Sequence, residues 1–212
     1  MIKHIVFDFD GTIADAKDVG YHIINELAGK HNYPKLTLEE LSNINNYPIK
    51  ERLKKIGVPL YKIPQLSLET LHIYRNLIQS VQAFDGMHDL LVNLQKEGFI
   101  LSIISSNSVD NIKVFLHKHD LEFFDNIISV KNLFGKHVSI KKYLRQFRLR
   151  ADEIIYIGDE LRDIEACKKL RVKIISVVWG FDPLTLIKRG NPDYIAYQPN
   201  EILEIVKSIT GA

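Results

Sequence analysis

Two acidic residues follow the first apolar run of the chain. Asp8 and Asp10 come directly after residues 5–7, and Gly11 and Thr12 follow them. Side chains two positions apart in a strand point the same way, so both carboxylates would face one place. Neighbouring carboxylates repel each other, and a cation could compensate for that repulsion. A solvent-facing strand end could also tolerate the pair without any function, so the pair by itself leaves both interpretations open.

Polar residues also follow two later apolar runs. Ser105, Ser106 and Asn107 end the run that starts at Phe99, just before a helical pattern. Hydroxyl groups at such a turn can donate hydrogen bonds to an anion, and the free N–H groups of the helix start assist. Lys136 precedes the next helical pattern. A lysine in that place is usually a solvated surface cation and becomes of interest only if it faces the acidic residues.

A second acidic cluster follows the apolar run 153–157. Asp159, Glu160 and Asp163 fall within five positions. Asp159 and Asp163 are four residues apart, so they share a face if a helix begins there. Acidic residues in a first helical turn also suit the helix dipole, which is the structural alternative.

Taken in order, these residues form one constellation at the ends of successive strands. The carboxyl ends of parallel strands meet at one edge of a sheet. Carboxylate oxygens there would favour Mg²⁺, and the lysine and a hydroxyl would hold a phosphate group. An aspartate can attack phosphorus and form an aspartyl-phosphate, while a cation and a lysine neutralise the charge of the transferred group.

The elements that would position these residues alternate between strands and helices. We predict strands at residues 2–9, 99–105, 126–130, 153–157 and 172–178, with a short one at 194–196. Most are continuously apolar, as expected of strands buried on both faces. Amphipathic helical patterns lie between them. The sequence therefore predicts an α/β fold with a Rossmann-like parallel sheet.

One segment breaks this alternation. Residues 16–82 contain no convincing strand but have helical patterns, which are separated by prolines. We predict helices at residues 19–30, 37–45, 49–56 and 65–82. This predicts a small helical domain at 16–82, inserted into a core made of residues 1–15 and 83–212.

Composition limits the classes of protein that fit. The chain has 212 residues, of which 46% are hydrophobic, a formal net charge of +2 and a single cysteine, Cys167. The small charge predicts no nucleic-acid partner and no anionic membrane partner. One cysteine excludes an intrachain disulfide and favours a reducing compartment. No apolar run reaches membrane-spanning length and no signal peptide is seen, so we expect a cytoplasmic protein. The sequence leaves the oligomeric state open.

The ordered motifs resemble the haloacid dehalogenase superfamily of phosphatases. The hallmark DxDGT matches residues 8–12, and GDxxxD matches 158–163; together they are strongly specific. A serine after the second strand and Lys136 match the two weaker motifs. The sequence leaves open whether Ser105 or Ser106 is that serine, and we favour Ser105 because it ends the strand. The helical insert resembles the cap of the phosphoglycolate phosphatase-like branch.

The resemblance implies a metal-assisted site. Asp8 would be the nucleophile and a ligand of Mg²⁺. Asp10 would be the general acid and base, and its backbone carbonyl would also bind the metal. Asp159 would complete the carboxylate ligands, with Asp163 in support.

The resemblance also implies how the phosphoryl group is held. Ser105 and Lys136 would act on it directly. Four further residues would line the phosphate site: Gly11, Thr12, Ser106 and Asn107. The function implied is a magnesium-dependent phosphatase acting on a small phosphorylated metabolite. A phosphomutase, for which His22 in the insert could serve, and a non-catalytic phosphate-binding scaffold are the alternatives.

Overall fold

A six-stranded parallel sheet with helices packed on it forms the core of the protein. The computed structural model describes residues 1–130 and 133–211. Among these residues the strands are β1 His4–Phe7, β2 Ala14–Asp15, β3 Gln82–Ala83, β4 Ile100–Ser105, β5 Asn126–Ser129, β6 Ile154–Gly158, β7 Lys173–Val177 and β8 Tyr194–Ala196. The helices are α1 Lys17–His31, α2 Leu38–Asn45, α3 Ile49–Lys55, α4 Ile63–Leu77, α5 Met87–Lys96, α6 Val109–Lys118, α7 Lys136–Gln146, α8 Leu161–Leu170, α9 Leu184–Gly190 and α10 Pro199–Thr210. None of these helices combines the length and the apolar character needed to cross a bilayer.

Strand β1 lies in the middle of the sheet. The strand order is β5-β4-β1-β6-β7-β8, and every pairing in this sheet is parallel. Phe7 lies beside Ile103 of β4 and Ile157 of β6. The residues that follow β1, β4 and β6 therefore lie next to one another at the carboxyl end of the sheet, as expected for the predicted fold class.

Strand β1 ends earlier than the predicted segment 2–9. The Asp8 N–H still donates to the Ile157 carbonyl, but the Phe9 carbonyl accepts turn hydrogen bonds from Ile13 and Ala14. The chain therefore bends at Phe9, and the two acidic residues lie in the turn and not in a regular strand.

Side chains from β1 enter two separate hydrophobic clusters. Ile5 and Phe7 pack on one face of the sheet, and Val6 packs on the other beside Tyr156. This alternation follows from the period of two in a strand. Burial on both faces explains why the sequence of the strand is continuously apolar.

The insert is helical, but its last predicted helix is too long. Helix α4 ends at Leu77, a 3-10 turn covers Ile78–Ser80, and Gln82–Ala83 forms β3. Strand β3 pairs antiparallel with β2, so a two-stranded ribbon joins the insert to the sheet. The prediction of a helix to residue 82 is therefore wrong at its end. The domain bounds 1–15, 16–82 and 83–212 stay a prediction.

Candidate active site

A buried lysine lies between two carboxylates at the edge of the sheet. Asp8 follows β1, Lys136 begins α7, and Asp163 lies in the first turn of α8. The Lys136 Nζ is 2.6 Å from the Asp8 Oδ2 and 2.5 Å from the Asp163 Oδ1. All three side chains are buried. Burial alone would lower the pKa of Lys136, but the carboxylates of Asp163 and Asp8 raise it above its ordinary value, so the lysine is a cation.

Asp10 has different partners. Its Oδ1 accepts a hydrogen bond of 2.6 Å from the Tyr74 hydroxyl, and the Asn107 Nδ2 donates to both of its carboxylate oxygens. Burial raises the pKa of Asp10 to about 6, and the charge of Asp8 adds to this effect, whereas the bonds from Tyr74 and Asn107 oppose it. This pKa lies closer to neutral pH than that of an ordinary aspartate, which suits a group that gives and takes protons.

Asp159 is held by Thr12, in the turn that follows Asp10, and by Phe181, which follows β7. The Thr12 hydroxyl donates to its Oδ1 at 2.9 Å, and the Phe181 N–H donates to its Oδ2 at 2.8 Å. Gly11 has a φ of +79°, and a Cβ at this position would overlap the Asp159 carboxylate and the Phe181 ring. A glycine is therefore needed here both for the backbone conformation and for the space.

The serines after β4 take different places. Ser105 is buried, and its hydroxyl accepts a hydrogen bond of 3.1 Å from the Asn107 N–H. Ser106 is partly exposed and faces a cavity beneath the helical insert. Ser108 caps α6 by accepting from the Asn111 N–H, the structural role that Ser105 and Ser106 do not share. The role of each serine toward phosphate stays a prediction.

Three carboxylates approach closely enough to share a cation. One oxygen each from Asp8, Glu160 and Asp163 lie within 4.8 Å of one another. Hard oxygen donors of this kind suit a divalent cation such as Mg²⁺, so the residues present fit a metal. The cluster shares only Asp8 with the predicted ligand set of Asp8, Asp10 and Asp159. That set stays a prediction.

Comparisons with known proteins agree with this geometry. The sequence profile described as haloacid dehalogenase-like hydrolase matches residues 5–177. The chain belongs to this family. A phosphoglycolate phosphatase of Synechococcus elongatus is 24% identical over 98% of this chain and 99% of its own length. Pyrophosphatase PpaX of Halalkalibacterium halodurans is 24% identical over 97% of both chains. The solved structure of a predicted phosphatase from Clostridium acetobutylicum is 21% identical, covers 98% and 99% of the two chains and has a TM-score of 0.84, which confirms the fold.

Membership in the family makes the chain a hydrolase, and the structure adds residues that motif spacing did not identify. Glu160 lies between the two aspartates of the GDxxxD motif. This position is the feature of the sequence that could have identified Glu160 as a candidate metal ligand. Tyr74 reaches Asp10 from α4, 64 residues away in the sequence. Its spacing within the apolar stripe of α4 makes it look like any core residue, so the sequence carried no signal for this contact.

A cavity of about 620 Å³ lies between the helical insert and the strand ends. Helices α1, α3 and α4 form one side, and the segments after β4 and β5 form the other. Asp10, Ser106 and Asn107 lie on its wall. Asp10 is thus the acidic residue through which the active site of this hydrolase adjoins the cavity.

Proposed function

We propose that this chain is a magnesium-dependent phosphatase that hydrolyses a small-molecule phosphate ester through an aspartyl-phosphate on Asp8. The observation that carries the proposal is the asymmetry of the first two acidic residues. Asp8 is ion-paired with the buried cation Lys136, whereas Asp10 accepts hydrogen bonds from Tyr74 and Asn107 and has a pKa raised to about 6. Two like residues with such different surroundings suit a nucleophile and an acid.

In the first step the Asp8 carboxylate attacks phosphorus. A bond forms between an Asp8 oxygen and phosphorus, and the bond from phosphorus to the leaving oxygen breaks. Asp10 gives its proton to that oxygen, so an alcohol leaves. The second step reverses the role of Asp10, which takes a proton from a water that attacks the phosphorus. The bond between the Asp8 oxygen and phosphorus breaks, which releases inorganic phosphate and regenerates the Asp8 carboxylate.

Other residues of the chain orient these groups. Lys136 holds Asp8 in place and presents positive charge to the phosphoryl oxygens. Asn107 and Tyr74 fix the Asp10 carboxylate toward the cavity, where the leaving group would lie. We expect Ser105, Ser106, Gly11 and Thr12 to line the phosphate site through hydroxyl and backbone groups.

The carboxylates of Asp8, Glu160 and Asp163 are the groups placed to hold Mg²⁺. When bound, the ion supplies positive charge that lowers the repulsion between Asp8 and the phosphoryl oxygens. Arg162, whose Nε donates to Glu160 at 2.5 Å, orients that carboxylate within the cluster.

The substitution Asp8→Asn tests the proposal. The amide is nearly isosteric but is a poor nucleophile, so release of inorganic phosphate from the best ester of a metabolite panel, and from para-nitrophenyl phosphate, should fall by about a thousandfold or more. Asp89→Asn, the same change at an exposed residue of α5, is the matched control. Wild-type phosphate release from Asp8→Asn protein with an unchanged melting temperature would overturn the proposal.

Release of free phosphate also separates the proposal from a phosphomutase, which would return the phosphoryl group to a second hydroxyl. His22, the residue considered for that task, lies on the surface, with its Nε2 3.4 Å from the Glu26 Oε2. A cytoplasmic location is part of the proposal, since the single cysteine, Cys167, is buried and unpaired.

A further inference from the structure

The cavity beneath the helical insert is lined mainly by aliphatic side chains. Its volume of about 620 Å³ falls within the range of sites that enclose small organic ligands. Six of the aliphatic residues come from three helices of the insert: Ile24, Leu27, Leu53, Ile56, Leu66 and Leu71. A space of this kind suits an apolar group, because such a group loses no hydrogen bonds on entering it.

None of the described residues that line this cavity carries a positive charge. Among the described residues that line the cavity, Asp10 is the only one with a charged side chain, and the polar remainder includes hydroxyl groups of Tyr33, Ser67 and Thr70. A carboxylate or a second phosphate placed among these side chains would have no cation to pair with. Burying an unpaired anion is strongly unfavourable, so the described part of the lining disfavours charged leaving groups.

The cavity is continuous with the catalytic residues. Asp10 and Asn107 belong to both its wall and the hydrogen-bonded group around the proposed acid. With a phosphoryl group at Asp8, the oxygen that receives the proton of Asp10 therefore points the rest of the substrate into the cavity. Whatever occupies this space is the leaving group.

We propose that the substrate is a phosphate monoester of an uncharged, largely apolar alcohol. This inference rests on the proposed phosphatase function and names its substrate class. It separates the chain from its relatives named phosphoglycolate phosphatase and pyrophosphatase, because the leaving group of phosphoglycolate carries a carboxylate and that of pyrophosphate is a second phosphate.

A matched pair of esters tests the substrate class. Octyl phosphate and its counterpart with a terminal carboxylate have similar length and the same reacting group. The value of kcat/KM, measured with magnesium present, should favour octyl phosphate by about a hundredfold or more, since a single methylene in an apolar pocket already gives about tenfold or more. Phosphoglycolate and pyrophosphate should be poor substrates.

A matched pair of variants tests whether the cavity lining causes the preference for octyl phosphate. Leu71→Arg places a cation in the cavity and should narrow the ratio between the two esters by about tenfold or more. Leu60→Arg makes the same change on the exposed surface of the insert, outside the cavity lining, and should leave the ratio unchanged. Melting temperatures of both variants show whether they are folded.

Binding to the unaltered chain gives a readout that needs neither turnover nor a variant. Octylphosphonate, which cannot be hydrolysed, should bind more tightly than its carboxylated counterpart in calorimetry, with a negative heat-capacity change from apolar burial. Equal binding, absence of binding or preference for the carboxylated compound would overturn the inference. Equal or reversed kcat/KM for the two esters would overturn it too and would leave the phosphatase proposal standing. Failure to release phosphate from any ester would overturn the phosphatase proposal, and phosphonate binding would then decide the apolar preference alone.

Discussion

Lys136 combines two tasks that a surface lysine could not perform. Its buried Nζ contacts both Asp8 and Asp163, which would otherwise be two uncompensated carboxylates in the interior. Removing one partner of a buried ion pair destabilises a fold much more than removing one partner of an exposed ion pair. The same charge would face the phosphoryl group of any substrate, because that group is common to all of them.

We therefore predict that Lys136→Met lowers both stability and activity. The free energy of unfolding should fall by about 3–5 kcal/mol, because a buried cation is lost from between two acids. The value of kcat/KM should fall by about a hundredfold, and by a similar factor for a good substrate and for para-nitrophenyl phosphate. Urea unfolding and steady-state kinetics measure the two effects.

Two further variants serve as controls for the Lys136→Met result. Lys136→Met combined with Asp163→Asn removes a carboxylate along with the cation, so it should regain part of the lost stability but none of the activity. Lys141→Met, an exposed lysine of the same helix, should change neither quantity. If Lys136→Met impaired one ester and spared the other, Lys136 would recognise the leaving group and its proposed role would be wrong.

A divalent cation should stabilise the folded chain through the acidic cluster. We predict that Mg²⁺ raises the melting temperature, because an ion that binds only the folded state shifts the equilibrium by mass action. Glu160→Gln should reduce this rise. Glu165→Gln, a change at an exposed residue of α8, the helix that Glu160 precedes, should not. Excess chelator should abolish both the rise and phosphate release. An equal rise in the Glu160→Gln protein would exclude Glu160 as a ligand.

Residue spacing predicted some of these contacts and could not predict others. The end of each apolar run placed Asp8, Lys136 and Asp163 at one edge of the sheet, and they do meet there. The contact of Tyr74 with Asp10 depends on how the helical insert packs on the core. No spacing within the sequence encodes that packing.

At the scale of the elements, β1 carries a buried histidine that is not part of any of the sequence motifs. His4 is buried, and its Nδ1 lies 2.6 Å from the Tyr143 hydroxyl, which in turn contacts the Ser102 hydroxyl. Burial lowers the pKa of His4 below the model-peptide value of 6.5, and nearby Lys3 acts in the same direction. These contacts join β1, β4 and α7 at the end of the sheet opposite the acidic residues.

We predict that His4 makes stability depend on pH. The unfolded chain binds a proton at this histidine near pH 6.5, whereas the folded chain resists it, so the free energy of unfolding should fall as pH decreases through this range. The loss should continue down to the lowered pKa of the folded state. His4→Asn keeps a hydrogen-bonding group for Tyr143 but does not titrate, so it should show a weaker decrease between about pH 7.5 and about pH 5.5. An equal decrease in both proteins, measured by urea unfolding, would exclude His4 as the cause.

Element types were easier to predict than element ends. Hydrophobic periodicity predicted all six strands of the parallel sheet and the helices of the insert. The periodicity of α4 continued beyond Leu77, but Val81 adopts an extended backbone and Gln82 pairs with Asp15. Tertiary pairing thus overrides the local pattern, which explains why the joining ribbon was not predicted.

At the scale of the whole molecule, a buried ion pair links the insert to the core. Arg52 of α3 donates to Asp182, which follows β7, and the other Asp182 oxygen accepts the Leu161 N–H at the start of α8. The Arg52 Nε also donates to the Tyr47 carbonyl, and its Nη2 donates to the Asn45 carbonyl. The described residues that line the cavity do not include Arg52.

We predict that this ion pair sets the local stability of the insert. Arg52→Met leaves the buried Asp182 without its cation, so amide hydrogen exchange of α3 should accelerate by more than about tenfold, while β1 in the centre of the sheet should exchange as before. Lys54→Met, an exposed cation of the same helix, is the matched control. Adding Asp182→Asn to Arg52→Met removes the uncompensated charge and should slow the exchange again. Unchanged exchange of α3 in the Arg52→Met protein would mean that the ribbon and the Tyr74 contact hold the insert on the core without this ion pair.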